Sequence, residues 1–305
     1  MKMLGLFMVD EHISMVLEDL CGRKLEDGGF AASPGGEYRP DATAWAILAL
    51  AKTETKPELV EKARSRLAAD QLKDGRLSIS PDHPEAYWPT ALAILAWQNG
   101  SPPDREAQAR AVRFLIEHSG LHWQKKPNGP VGHDTAIRGW PWVDMTHSWV
   151  EPTSLAVMAL TVAGHGGHER VQEALLMLMD RQLPEGGWNY GNTLIFGKEL
   201  FPMADATGMA LNALSGKISR ESIATSIEYL RKETRRLRTP LSLGWGLLGL
   251  GAWGERPEDS RVWVMETLKK QDRFGPFDTS LLSLLLIAFS ANRGLVGILS
   301  GRGEQ

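Results

Sequence analysis

Ala42-Thr-Ala-Trp-Ala-Ile-Leu-Ala-Leu50 reads as a helix without a polar face. Its one hydroxyl, Thr43, stands at the second position, Ala46 and Ala49 follow, and Trp, Ile and Leu fill the remaining directions. A helix on a protein surface needs a polar side, so this stretch predicts a helix packed all round. Small residues three apart let neighbouring helices approach closely while the larger ones fill the other faces. The phrase recurs as Pro89-Thr-Ala-Leu-Ala-Ile-Leu-Ala-Trp97, Pro152-Thr-Ser-Leu-Ala-Val-Met-Ala-Leu160 and Ala206-Thr-Gly-Met-Ala-Leu-Asn-Ala-Leu214. A fifth copy, Leu241–Leu250, carries Gly246 and Gly249 in the alanine places, and a sixth lies around Ser280–Phe289 without a fixed register.

A more polar segment precedes each apolar one: Glu58–Ala69, Arg105–His118, His168–Arg181, Ser219–Arg235 and Asp259–Lys270, with His12–Leu20 in that part for the first. One apolar stripe and one charged face suit an outer helix. Between the two kinds of helix lie glycine-centred turns: Lys24-Leu-Glu-Asp-Gly-Gly-Phe30, Gln71-Leu-Lys-Asp-Gly-Arg-Leu77, Gln182-Leu-Pro-Glu-Gly-Gly-Trp188 and Gln271-Asp-Arg-Phe-Gly-Pro-Phe277. An open array of helical hairpins wants polar end repeats. The last repeat here is the most apolar, which favours closure on the first. The expected fold is all-α, an α/α toroid of six helical hairpins in an inner and an outer ring. It forms one domain over residues 1–305, with repeats at about 12–54, 58–100, 104–166, 168–217, 218–257 and 258–294.

The glutamine-to-tryptophan turns resemble the QW repeats of squalene-hopene cyclases. Gly139-Trp-Pro-Trp142, Ser148-Trp-Val-Glu-Pro-Thr153 and Gly186-Gly-Trp-Asn-Tyr-Gly-Asn192 resemble segments of bacterial prenyltransferase/squalene oxidase repeat proteins, which are short single-toroid relatives. The resemblance spans about residues 12–294 and implies a central aromatic-lined cavity for a prenyl or other apolar molecule, with acid-initiated cyclisation or isomerisation as its chemistry. Fold alone does not establish activity. The Asp-X-Asp-Asp signature of class II cyclases is missing: Pro40-Asp-Ala-Thr43 and Met203-Ala-Asp-Ala-Thr207 keep a single Asp each.

Two residues before the repeated Thr stand Asp41, Trp88, Glu151, Asp205, Leu241 and Ser280, at the end of each inner helix that converges on the ring centre. Asp there is also a good helix cap, whereas Glu is a poor one, which leaves Glu151 the less explained by capping. The long connection from Trp123 to Val150 adds Trp140, Trp142 and Trp149 with His133, Asp134, Asp144 and His147, and Asp144 and His147 are spaced for a hydrogen bond that would raise the imidazole pKa. The candidate catalytic residues are therefore Asp205, Glu151, Asp144, His147 and Asp41. The candidate substrate-binding residues are Trp45, Trp88, Tyr87, Trp140, Trp142, Trp149 and Trp245.

No cofactor is expected. Cys21 is the only cysteine and lies before the first turn, which argues against zinc thiolate chemistry, and the Asp-Asp-X-X-Asp motif does not occur. A net charge of −3 gives no basic field for nucleic acid. Met1–Val9 lacks the form of a signal peptide and Leu281–Phe289 is too short to span a membrane, so the expected compartment is the cytoplasm. Contact with a membrane from one side stays open, and no protein partner is implied. Two other classes fit the same residues: a non-catalytic toroid binding a lipid or protein, and a carbohydrate-active toroid that uses paired carboxylates with tryptophans stacked on sugar rings.

Overall fold

The computed structural model describes residues 2–126 and 129–300, with side chains from residue 11 onward. In chain order its helices are α1 (Lys2–Gly22), α2 (Pro40–Lys52), α3 (Pro57–Ala69), α4 (Trp88–Ala96), α5 (Pro102–Glu117), α6 (Val150–Val162) and α7 (Glu169–Asp180). They continue as α8 (Ala204–Leu214), α9 (Ala224–Thr234), α10 (Pro240–Ala252), α11 (Ser260–Leu268), α12 (Gln271–Phe274), α13 (Thr279–Ser290) and α14 (Leu295–Leu299). One small antiparallel hairpin, β1 (Leu194–Ile195) and β2 (Lys198–Glu199), precedes α8.

The apolar segments form the inner ring. Helices α2, α4, α6, α8, α10 and α13 pack each on the next, and α13 packs on α2, which closes the circle. The outer helices α3, α5, α7, α9 and α11 lie against them, and α1 packs on α13 across the seam. Short turns after the inner helices, such as residues 53–56 and 97–101, send each outer helix back antiparallel. All inner helices therefore point the same way, and the longer connections leading into them gather at one end of the ring. No helix among the described residues is long and apolar enough to cross a membrane.

The recurring threonine has a structural task. Its Oγ1 accepts the backbone N–H of the bulky turn residue: Phe30 to Thr43 at 2.9 Å, Leu77 to Thr90 at 3.0 Å, Trp140 to Thr153 at 2.9 Å and Trp188 to Thr207 at 2.9 Å. In the last three the hydroxyl returns its proton to the same residue's carbonyl. The turn side chain is thereby driven into the wall between the rings, where Trp140 and Trp188 donate their indole N–H to the carbonyls of Leu115 and Leu178 in the last turns of α5 and α7. Gly28, Gly75 and Gly186 hold φ near +100°, and a Cβ at Gly75 would lie 2.4 Å from the Arg110 carbonyl oxygen, so only glycine lets these turns sit on the next outer helix.

Trp140 thus occupies the third turn, a place that the glutamine spacing does not reveal. At the seam, Thr279 takes the threonine part across the whole length of the chain. Its hydroxyl donates to the Ala31 carbonyl at 2.6 Å, and buried Arg23 donates to Thr279 Oγ1 and to the Phe277 carbonyl. Glycines set the tightest inner contact: a Cβ at Gly249 would fall 2.7 Å from the Gly208 Cα, which brings α10 backbone against α8 backbone.

Thr153→Val keeps the shape and removes the acceptor of a buried N–H. The expected loss is about 1–3 kcal/mol, seen as a lower urea midpoint at constant slope. An unchanged midpoint would show that this anchor carries no weight.

Candidate active site

Glu151 and Asp205 lie in the first turns of adjacent helices α6 and α8, at the same register two residues before the anchoring threonine. Both are buried, at 8% and 2% exposure. Glu151 makes no hydrogen bond or ion pair among the described residues. Burial, reinforced by the negative charge of Asp205, pushes its pKa up to about 7. Asp205 is raised as well, through burial, although its own and the Ala206 backbone N–H groups and the Tyr190 hydroxyl support its charged form. One of its oxygens, Oδ1, is buried without a partner. Two carboxyls that feel each other in a dry place cannot both ionise cheaply, so near neutral pH the pair retains a proton.

Asp41 occupies the same register in α2 and has another fate. Both of its oxygens accept from the Arg39 guanidinium at 2.8 Å, a bidentate ion pair that occupies the carboxylate.

One helical turn further along, the inner helices present Trp45, Leu155, Met209 and Trp245. Trp45 and Trp245 come from helices that are not neighbours, and their rings meet edge to face at 5.7 Å across the ring interior. Trp45 and Met209 are buried, at 6% and 5% exposure. The surroundings of the acid pair on this side are aromatic and aliphatic.

The remaining sequence candidates sit at the start of α4 and in the long connection before α6. Trp88 meets Trp142 edge-on at 5.5 Å. Tyr87 packs edge-on against Phe114 at 5.0 Å and donates its hydroxyl to Asp144 at 2.9 Å. Asp144 also accepts the Met145 N–H, and no hydrogen bond joins it to His147 among the described residues. His147 instead lies over the Trp149 ring, 4.2 Å between centroids, and burial together with the Arg181 charge lowers its pKa. Trp149 caps α6 and packs on Gly191, where a Cβ would come within 3.3 Å of the indole. Trp140, in the wall, lies under the Arg170 guanidinium at 4.7 Å.

Sequence spacing does not single out Tyr190 or Arg181. Tyr190 sits in Trp188-Asn-Tyr-Gly-Asn192, which reads as a structural turn; its carbonyl accepts the Val150 N–H at 2.9 Å, locking this loop to the start of α6. Its pKa is raised by burial, by the charges of Asp205 and Glu151 and by its hydrogen bond with Asp205, while the residue stays 37% exposed. Arg181, buried and pushed down to about 10 by that burial, donates to the Gly191 carbonyl and fixes the same loop. Its charge, after burial itself, also helps hold His133 near about 3. No group of three or more His, Cys, Asp or Glu side chains among the described residues could hold a metal ion.

No protein-family model matches the chain, and no curated protein matches it. Solved structures do. A type II terpene cyclase, MstE from Scytonema, solved as an arginine-to-alanine variant in complex with geranylgeranyl dihydroxybenzoate as substrate, superposes with a TM-score of 0.62 at 12% identity, covering 95% of this chain and 97% of that one. Haptocorrin in complex with Cbi matches at 0.53 and 13% identity, over 96% of this chain and 70% of that one. The ent-copalyl diphosphate synthase from Streptomyces platensis matches at 0.51 and 16% identity, over 86% of this chain and 50% of that one. The fold is therefore that of the terpenoid-cyclase-like α-helical toroids.

The acid pair has a signature in stability. Unfolded, Glu151 ionises near the ordinary value of about 4.3; folded, it does so near about 7. Between these values the folded state holds a proton that the unfolded state has lost, so the contribution is full at low pH and disappears as pH rises through about 7. The melting temperature of the wild type should fall from pH 5 to pH 8 relative to Glu151→Gln, by about 1–3 kcal/mol in stability. Parallel profiles for the two proteins would contradict the shifted carboxyl.

Proposed function

We propose that the protein is a terpenoid-cyclase-like catalyst, a single toroid domain whose turns are kin to the QW repeats, acting in the cytoplasm on a linear prenyl substrate. The observation that carries this reading is the buried Glu151 carboxyl, whose pKa is pushed up to about 7 by burial and by the neighbouring Asp205. In this scheme Glu151 gives its proton to an alkene carbon of the bound chain, and the alkene π electrons form the new C–H bond. The cation left on the adjacent carbon is attacked by the next double bond, forming a ring. Trp45 and Trp245 offer ring faces and edges to the travelling charge. The final carbocation loses a proton, so the product is an isomer of the substrate and the acid is restored through Asp205 and Tyr190. General acid catalysis of this kind is worth ~10²–10⁴ in rate, and the preorganised aromatic walls add to it.

The neighbouring carboxyls also support a second reading, hydrolysis of a glycosidic bond by an acid and a carboxylate. The aliphatic neighbours Leu155 and Met209 favour the prenyl chain over a sugar.

Linear C15 and C20 prenyl compounds, offered as alcohols, diphosphates and prenylated aromatic acids, should yield cyclic products of unchanged mass by gas chromatography–mass spectrometry. Glu151→Gln should lower kcat by ~100-fold or more with KM little changed. Full turnover by both Glu151→Gln and Asp205→Asn would remove the acid assignment, and release of sugars from oligosaccharides would move the protein to the second reading.

A further inference from the structure

The turns that follow the inner helices α6, α8, α10 and α13 gather at the end of the ring opposite Glu151 and Asp205. Together with α14 they enclose a cavity of about 790 Å³. Helix α14 forms one wall. Its Leu295 N–H donates to the buried Asn212 Oδ1 at 2.9 Å, and the fit against Asn212 and Ala252 leaves no room for a Cβ at Gly294. Lys217 and Arg293 line this cavity, and among the described residues no Asp or Glu does. A second cavity of about 270 Å³ adjoins it, lined by Arg256 and Arg261, and Asn292 lines both.

Buried cations elsewhere in the chain are answered by carboxylates: Arg23 by Asp19, Arg64 by Glu61, Arg170 by Glu173 and Arg181 by Asp180. At Lys217 and Arg256 no carboxylate plays that part among the described residues. Lys217 is half-buried, and burial alone pushes its pKa down. Arg256 is pushed down to about 10 by burial and by the like charge of Arg261. Its Nη2 donates to the Ala288 carbonyl, while Nη1 is buried without a partner. Glu258, at the same cavity, and Asp259, which caps α11, are both exposed, and neither counters that shift.

Helix dipoles explain one of these cations and not the others. A lysine just after α8 suits the negative end of that helix, but Arg256 and Arg261 stand at the start of α11, where the dipole already favours an anion. Two guanidinium groups there, one with a buried unpaired Nη1, fit phosphate, whose oxygens match arginine's planar fork. Neither Lys217 nor Arg256 feels the other's charge, so the two serve separate groups of one ligand. On the larger side the Thr161 and Ser215 hydroxyls already donate to the Val157 and Ala252 carbonyls, which leaves their oxygens as acceptors for ligand hydroxyls.

We infer that the two cavities form one binding site for a phosphorylated sugar acid. Its phosphate lies on Arg256 and Arg261, its hydroxylated body lies against the α14 wall, and its carboxylate meets Lys217. The site does not rest on the prenyl reading, since it stands at the other end of the ring from the acid pair.

Isothermal calorimetry of the full chain in phosphate-free buffer tests this, with phosphogluconate, gluconate, sorbitol phosphate and inorganic phosphate as probes. Phosphogluconate should bind at a single site. Gluconate, lacking the phosphate, should be at least ~10-fold weaker, and sorbitol phosphate, lacking the carboxylate, ~3–10-fold weaker. Lys217→Gln should bring phosphogluconate down to the affinity of sorbitol phosphate and leave sorbitol phosphate unchanged. Arg256→Lys, which keeps the charge and loses the fork, should weaken both. A merely structural role would lower the melting temperature without this split. In the wild type, saturating phosphogluconate should slow acetylation of Lys217 by ~5-fold or more, while the exposed Lys198 reacts as before. No saturable binding of phosphogluconate, inorganic phosphate binding as tightly, or Lys217 acetylated at the same rate in its presence overturns the inference. Because no turnover is read, a failed cyclisation assay leaves this result standing.

Discussion

A threonine hydroxyl at the head of an inner helix takes the backbone N–H of the bulky residue in the turn before it, and most of the architecture follows from that bond. It fixes where Phe30, Leu77, Trp140 and Trp188 enter the wall between the two rings. The same bond sets the rotation and height of the first helical turn. The residue two positions earlier is thereby presented at the same level in each copy. A buried hydroxyl that both accepts and donates satisfies groups that would otherwise each cost about 1–3 kcal/mol. The wall is therefore specified by polar geometry as well as by apolar volume.

The candidate site is a consequence of that register. With three copies carrying a carboxylate at one level, the local environment decides what each becomes. Asp41 has an arginine two residues earlier and is neutralised by it. Glu151 and Asp205 stand on touching helices without such a cation, so burial and mutual repulsion leave a proton on the pair. The close backbone approach at Gly208 and Gly249 and the edge-to-face contact of Trp45 with Trp245 keep the ring interior narrow and apolar, where a buried carboxylate is costly and its proton is held to higher pH.

The inner helices were legible because all-round burial leaves a mark on every position: Thr at the second place, alanine three and six later, no charge between. The level shared by Glu151 and Asp205 could be read from the same alignment. What periodicity does not encode is contact made by irregular chain. Trp140 could not be recognised as the third turn because an insertion displaces the usual glutamine spacing, and only its bond to Thr153 reveals it. Thr279 is likewise invisible as an anchor, since its partner Ala31 lies at the other end of the chain. Asp144 and His147 are three apart, a spacing that has geometric meaning on a helix; in a loop, Tyr87 takes the carboxylate and Trp149 takes the imidazole. Tyr190 was hidden within a motif whose other residues are structural.

The central claim is that Glu151 and Asp205 share one proton at neutral pH, and carboxyl carbon NMR titration of protein labelled at glutamate and aspartate tests it most directly. The Glu151 resonance should titrate near about 7 in the wild type and move to lower pH in Asp205→Asn, because the repelling charge is gone. A Glu151 resonance that titrates in the ordinary carboxylate range, and does not respond to Asp205→Asn, would contradict the account.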